Sequence, residues 1–171
     1  MADPRCLGAT HRSHDRGRSL RQWRCRCVAQ GALQRHPDHR EQPSFTTGSL
    51  IRQRYTCDGL NLSPQISWSG LLPTAVTAAL FVVDPSARSG GFTHWLAYDI
   101  PLSVEEAIES AGAPFDELPE AGTQGDNDFA SLGFSGPCPP RGETHLYALH
   151  VYAVDTNLGL PSRSTRATVL I

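Results

Sequence analysis

Val82 to Pro101 reads VVDPSARSGGFTHWLAYDIP, two apolar runs separated by Pro, Ser and Gly. Such a pattern predicts an antiparallel hairpin, with the turn chemistry in the middle and a strand on either side. The hairpin carries Asp84 to the end of one strand and His94 to the start of the next. In an antiparallel pair those two positions lie at the same rim of the sheet. A carboxylate and an imidazole at one rim are the raw material of a polar site.

Working outward, three further stretches read as strands: PQISW (64–68), TAALFVVD (77–84), which leads into the hairpin, and THLYALHVYAVD (144–155). They are rich in β-branched and aromatic residues. In 77–84, 93–101 and 144–155 both alternating faces are largely apolar, as in strands covered on two sides. SVEEAIESA (103–111) reads as one short helix, with Ser103 as N-cap and Glu106 as its capping-box partner. The expected fold is therefore mainly β, an antiparallel sandwich with minor helical elements.

Alternation along HLYAL places His145 and Tyr147 on one face of a strand whose start would join the same rim. Just upstream, GFSGPCPPRGE (133–143) packs three prolines and three glycines into eleven residues. Proline fixes φ and removes a donor, and glycine lets a ligand approach the backbone, so the loop reads as a rigid pocket wall. Asp84, His94, His145 and Tyr147, with N–H groups of residues 136–142, would form a small cup for an anion. The ordinary alternatives are an Asp84 that only starts a turn and a His150 that is only a core or surface histidine.

Composition narrows the chemistry. The chain has 171 residues, enough for one domain with a real core. Residues 1–43 carry nine arginines against four acids, a net +5, while residues 44–171 carry six against thirteen, a net −7. The acidic body argues against nucleic-acid binding by the main domain. All fifteen basic residues are arginine, which excludes Schiff-base, Ser-Lys and Walker-lysine mechanisms. No G-x-S-x-G elbow supports a hydrolase.

Residues 1–43 lack periodic aliphatic residues and are expected to form a disordered arm. It reads as a solvated tail; an RNA-binding arm or transit peptide is the alternative. Cys25, Cys27, His36 and His39 in that arm have a spacing tighter than the usual structural zinc pattern, and no metal is assigned to them. No apolar run reaches membrane-spanning length and no secretory h-region is present, so the expectation is a soluble, cytoplasmic protein. Cys57 and Cys138 both sit in loops, and the expected state is the thiol rather than a disulfide.

Five stretches, YTCDGLNLSPQISW, FVVDPSA, FTHWLAYDIP, GDNDF and GFSGPCPPRGETHLYALHVYAVD, resemble in order and spacing the phosphatidylethanolamine-binding protein family, in its bacterial and archaeal Raf-kinase-inhibitor-like branch. The resemblance covers residues 44–171 and implies a β-sandwich with an anion pocket at one end. It places Asp84 on the first Asp of D-P-D-x-P, His94 on the H-W histidine, Gly136, Pro137, Pro139 and Pro140 on the Gly-Pro loop, and His145 and Tyr147 on the H-x-Y pair. Ser86 and Arg88 depart from D-P-D-x-P, and Arg52 stands where a proline is usual. The chain stops at RSTRATVLI, where the family usually continues through a helix and a strand. The implied function is non-enzymatic binding of a small anion that bears a phosphate or carboxylate, such as phosphate, a phosphate monoester or a phosphoethanolamine-like phospholipid head group, without a cofactor. The alternative is inhibition of a protein kinase or protease, and a metal-dependent enzyme, with two histidines and a carboxylate as ligands, is the third reading.

Overall fold

The computed structural model describes residues Leu20–Arg21, 48–87 and 91–170. Its strands, in chain order, are β1 (Leu20–Arg21), β2 (Ile66–Ser67), β3 (Thr77–Asp84), β4 (Phe92–Pro101), β5 (Glu106–Ala107), β6 (Thr123–Gln124) and β7 (Ala148–Val154). Among the described residues, a single 3-10 turn spans Gln53–Tyr55, and one short helix, α1, spans Arg166–Val169. Five strands form an antiparallel sheet in the order β1-β7-β3-β4-β6, and β2 and β5 pair in a second, two-stranded sheet. Among the described residues, no helix is long and apolar enough to cross a membrane.

The central position of β3 follows from its sequence, since all eight of its residues are buried. Its two faces feed two cores. Leu80 and Val82, with Trp95, Ala97 and Val151, pack against Ile66, Trp68, Ala107 and Phe134, which come from the second sheet and the loops above it. Ala79, Phe81 and Val83 pack with Leu96, Tyr98 and Val169 on the other face, where α1 and residues 158–160 cover them. Burial of this apolar area is the main driving force for the fold. Gln124, fully buried, ties the layers together: its Oε1 accepts from Trp95 Nε1 at 2.7 Å, and its Nε2 donates to the carbonyls of Ala113 and Phe115.

The expected helix over 103–111 does not form. Glu106 and Ala107 pair instead with Ser67 and Ile66. Tertiary bonds outweigh the capping signal there: the Glu106 carboxylate accepts from Gln65 Nε2 at 2.9 Å, Trp68 N–H donates to the Glu105 carbonyl, and Ser110 N–H donates to the Ser63 carbonyl. Ser110 has φ 70°, which ends any helical path.

Two other expectations change. Cys57 and Cys138 are joined by a disulfide across a sequence separation of 81, not free thiols. Their loops are held together by other contacts, with Cys57 N–H donating to the Pro137 carbonyl and Gly136 N–H to Asn61 Oδ1. Gly136 fits because a Cβ there would lie 2.4 Å from the Tyr55 carbonyl oxygen. The last long strand begins at Ala148, so His145 and Tyr147 precede it. Of the expected disordered arm over 1–43, Leu20 and Arg21 form β1, pairing with Val154 and Ala153, and the rest lies outside the described residues.

Candidate functional site

The β3–β4 hairpin forms with Asp84 opposite Phe92, and it contains an irregularity that the sequence pattern hides. Val82 pairs with Trp95 and Val83 with Thr93, which leaves His94 as the extra residue of a β-bulge. A bulge interrupts the strict alternation of a strand and redirects a side chain. Strict alternation would put His94 and Trp95 on opposite faces; the bulge relaxes that constraint, and the His94 ring meets Phe92, Phe129 and Tyr147 with centroids 5.3–5.4 Å away. The expected convergence of Asp84, His94, His145 and Tyr147 is thus present in the structure.

The two histidines are built for different states. His94 is 3% exposed, and its Nδ1 lies 2.6 Å from the Ser135 carbonyl, so Nδ1–H donates there and Nε2 keeps a lone pair. Burial depresses its pKa below 6.5, against the opposing pull of the Ser135 contact and the Asp84 charge. His145 has a carboxylate at each ring nitrogen: Asp84 Oδ2 is 2.6 Å from Nδ1, and Glu143 Oε2 is 3.1 Å from Nε2. Both contacts are donated only by the imidazolium. The bond to Asp84, then that to Glu143, raises its pKa above 6.5.

Asp84, 4% exposed, spends its other oxygen on Ser86 N–H at 2.8 Å. Ser86, which replaces an Asp of the resembled motif, also accepts from Leu146 N–H through its hydroxyl. The departure at position 86 therefore still joins the two segments that carry Asp84 and His145. Arg88 lies outside the described residues. Tyr147 is half-buried, and burial, then the nearby Asp84 charge, pushes its phenol up to about 12. It stays protonated at neutral pH and can donate.

The 136–142 loop shapes the cup more than it donates. Pro137, Pro139 and Pro140 carry no N–H, Gly136 N–H is taken by Asn61, and Cys138 N–H is directed at the Tyr147 oxygen. A turn closed by Glu143 N–H to the Pro140 carbonyl, with Gly142 at φ 85°, then delivers Glu143 to His145.

The sequence reading missed four contributors. Asn127, 3% exposed, donates to the Gly133 carbonyl and Ser135 Oγ and accepts from Phe129 and Ser131 N–H, so it sets the loop that presents Ser135 to His94. Asp128 clamps the bulge from outside, its carboxylate accepting from Thr93 N–H and its own N–H donating to the Thr93 carbonyl. Phe129 lines the cup and is 47% exposed. Glu143 is the fourth. The motif GDNDF contains the first three of these, while nothing local marks Glu143. Among the described residues, no group of three His, Cys, Asp or Glu is arranged to hold a metal ion.

Residues 41–170 match the profile described as phosphatidylethanolamine-binding protein. A UPF0098 protein of Methanothermobacter thermautotrophicus is 42% identical over 130 residues, 74% of this chain and 83% of the relative. The crystal structure of Escherichia coli YbcL, described as a new member of the mammalian PEBP family, has a TM-score of 0.69 at 34% identity, covering 74% of this chain and 82% of that one. A phosphatidylethanolamine-binding protein homolog from Chlamydia trachomatis has a TM-score of 0.64 at 30% identity, with 74% and 81% covered.

Proposed function

The chain belongs to the phosphatidylethanolamine-binding protein family, and from that premise we propose that it is a non-enzymatic module that binds a small phosphate-bearing ligand in the Asp84, His94, His145, Tyr147 cup. The fold supports ligand binding in general. The observation that carries the finer reading is the pairing of an imidazole set between the Asp84 and Glu143 carboxylates, which favour its charged form, with a second imidazole whose Nε2 is free of the Ser135 contact.

These two histidines would do complementary work. His145 gives an oxyanion a charge-assisted hydrogen bond, roughly twice as strong as a neutral one. His94, already donating through Nδ1, meets the ligand as an acceptor while neutral. A phosphate oxygen that carries a proton satisfies it, and a fully ionised oxygen does so only if His94 takes up a proton. Tyr147 supplies one more hydroxyl donor, and Phe129 and Phe92 give the cup an apolar wall that suits the carbon side of a monoester.

Isothermal titration of inorganic phosphate, methyl phosphate and sulfate near neutral pH tests this reading. Methyl phosphate is expected to bind with less proton uptake than sulfate, because sulfate brings no proton for His94. His145→Ala and His94→Ala should each weaken binding by about tenfold, the worth of one charge-assisted bond. If both variants bind all three ions as the parent does, the cup is not the site.

The expected cytoplasmic location meets the Cys57–Cys138 bond, which supports an oxidising compartment, since most such bonds do not persist in a reducing cytosol. Thiol alkylation and mass spectrometry of protein taken from its own cells would distinguish the two.

A further inference from the structure

Resting on that reading of the cup, we infer that Glu143 is an internal competitor for the anion, a side chain that holds the oxyanion position on His145 until a ligand displaces it. His145 Nε2 points away from Asp84, and its N–H is the donor an incoming oxyanion would use. In the structure that donor already has an oxyanion, Glu143 Oε2, at 3.1 Å. A carboxylate oxygen at that distance has the same hydrogen-bonding chemistry as a phosphate oxygen.

Charge balance leads to the same place. Asp84 and Glu143 together carry two negative charges around the single positive charge of His145, and Asp128 adds another nearby by its influence on His94. An anion entering with Glu143 in place would meet a net negative site. With Glu143 swung out, the anion replaces one carboxylate with another oxyanion on the same donor, and the repulsion of an added anion is relieved.

The two carboxylates differ in how they are held. The Asp84 side chain is 5% exposed and is fixed by Ser86 as well as His145, so it cannot leave without stranding a buried charge. The Glu143 side chain is 46% exposed, and among the described residues its carboxylate has one partner, His145. Its backbone is fixed by the Pro140–Glu143 turn, so a rotamer change alone takes the carboxylate into water. Asp84 is therefore the fixed counter-ion and Glu143 the exchangeable one. Glu143 would set the threshold affinity, lowering the apparent affinity of every oxyanion for His145 by the same factor.

The test is titration of inorganic phosphate and sodium acetate into the full-length parent, Glu143→Ala, Glu143→Gln and His145→Ala at one pH and ionic strength, with the imidazole resonances of His145 followed by NMR. Glu143→Ala is expected to bind phosphate about threefold to fivefold more tightly, the range of a partly exposed ion pair. Glu143→Gln should show a smaller gain, because its amide oxygen still accepts from Nε2 without charge. Acetate and phosphate should gain by about the same factor in Glu143→Ala, because a competitor for one donor scales every ligand's affinity alike, and the His145 midpoint should fall in both Glu143 variants. If Glu143→Ala binds phosphate no more tightly than the parent while His145→Ala still weakens binding, the competitor role is overturned and the site reading stands. If phosphate binds neither the parent nor Glu143→Ala, both fall together.

Discussion

His94 and His145 both feel the Asp84 charge but have opposite proton preferences, and the physical reasons are separate. His94 is buried among rings and meets the distant charges of Asp84 and Asp128, so desolvation prevails and its pKa is lowered. His145 meets two carboxylates directly, and its pKa is raised. The stability consequences have opposite signs. The raised pKa of His145 contributes stability that is fully present below 6.5 and is lost as pH rises through its higher folded value. The lowered pKa of His94 means that the unfolded chain binds the extra proton first, so stability falls as pH drops from 6.5 toward its folded value. NMR titration of the parent, with its seven histidines, should place the His94 midpoint below 6.5 and the His145 midpoint above it, the first assigned by its loss in His94→Gln and the second by its loss in His145→Gln. Unfolding in urea should show the His145→Gln deficit larger near pH ~5.5 than near pH ~9. A deficit that does not change with pH would mean that the pair with Asp84 is not ionic.

At the level of elements, the site depends on one slipped register and the loop that supports it. The β4 bulge at His94 and the Asn127-centred loop are mutually dependent: the bulge turns the ring toward Ser135, and Asn127 places the Ser135 carbonyl to receive it. Asn127→Ala leaves the Phe129 and Ser131 donors and the Gly133 acceptor without their side-chain partner. The expected cost is about 2–3 kcal/mol in urea unfolding, the range for stranding buried polar groups. The His94 midpoint should move as well, because the Ser135 contact raises it. A loss of stability with no change at His94 would separate the loop from the site. This coupling also explains what was legible beforehand. TAALFVVD could be read as β3 because eight buried residues leave a continuous apolar signature, and the Asp84–His94 rim followed from the hairpin. The bulge was not legible, since it is a relation between two strands and alters no residue's hydropathy. The segment 103–111 was misread for a related reason: Ser103 and Glu106 carry a sound local helix signal, and the partners that overrule it, Ser63, Gln65 and Trp68, lie about 40 residues upstream. Glu143 was hidden by the same kind of distance, because its meaning depends on where Asp84 holds His145.

Across the whole molecule, the order of motifs from Tyr55 to Asp155 made the family readable, while the state of its cysteines was not. Cys57 and Cys138 stand in loops that look independent in sequence, and only the packing of the 55–61 segment against the Gly-Pro loop brings them together. The bond they form spans 81 residues and encloses β2 through β6, so it constrains nearly half of the 171-residue unfolded chain. In the chain-entropy view a loop of that size contributes about 4 kcal/mol, with measured values more often about 2–4 kcal/mol. It also anchors the loop beside Tyr147, one Pro140–Glu143 turn before Glu143 and His145. The Cys57→Ala, Cys138→Ala double variant should therefore unfold at lower urea with a loss of about 2–4 kcal/mol. Reductant should lower the parent to the same midpoint and leave the variant unchanged. Phosphate affinity should fall in the variant under conditions where it remains folded, because ordering the 136–142 wall then becomes a cost of binding. If stability falls but phosphate affinity does not, the disulfide acts on the unfolded chain alone, and the Gly136–Asn61 and Cys57–Pro137 bonds are sufficient to hold the wall.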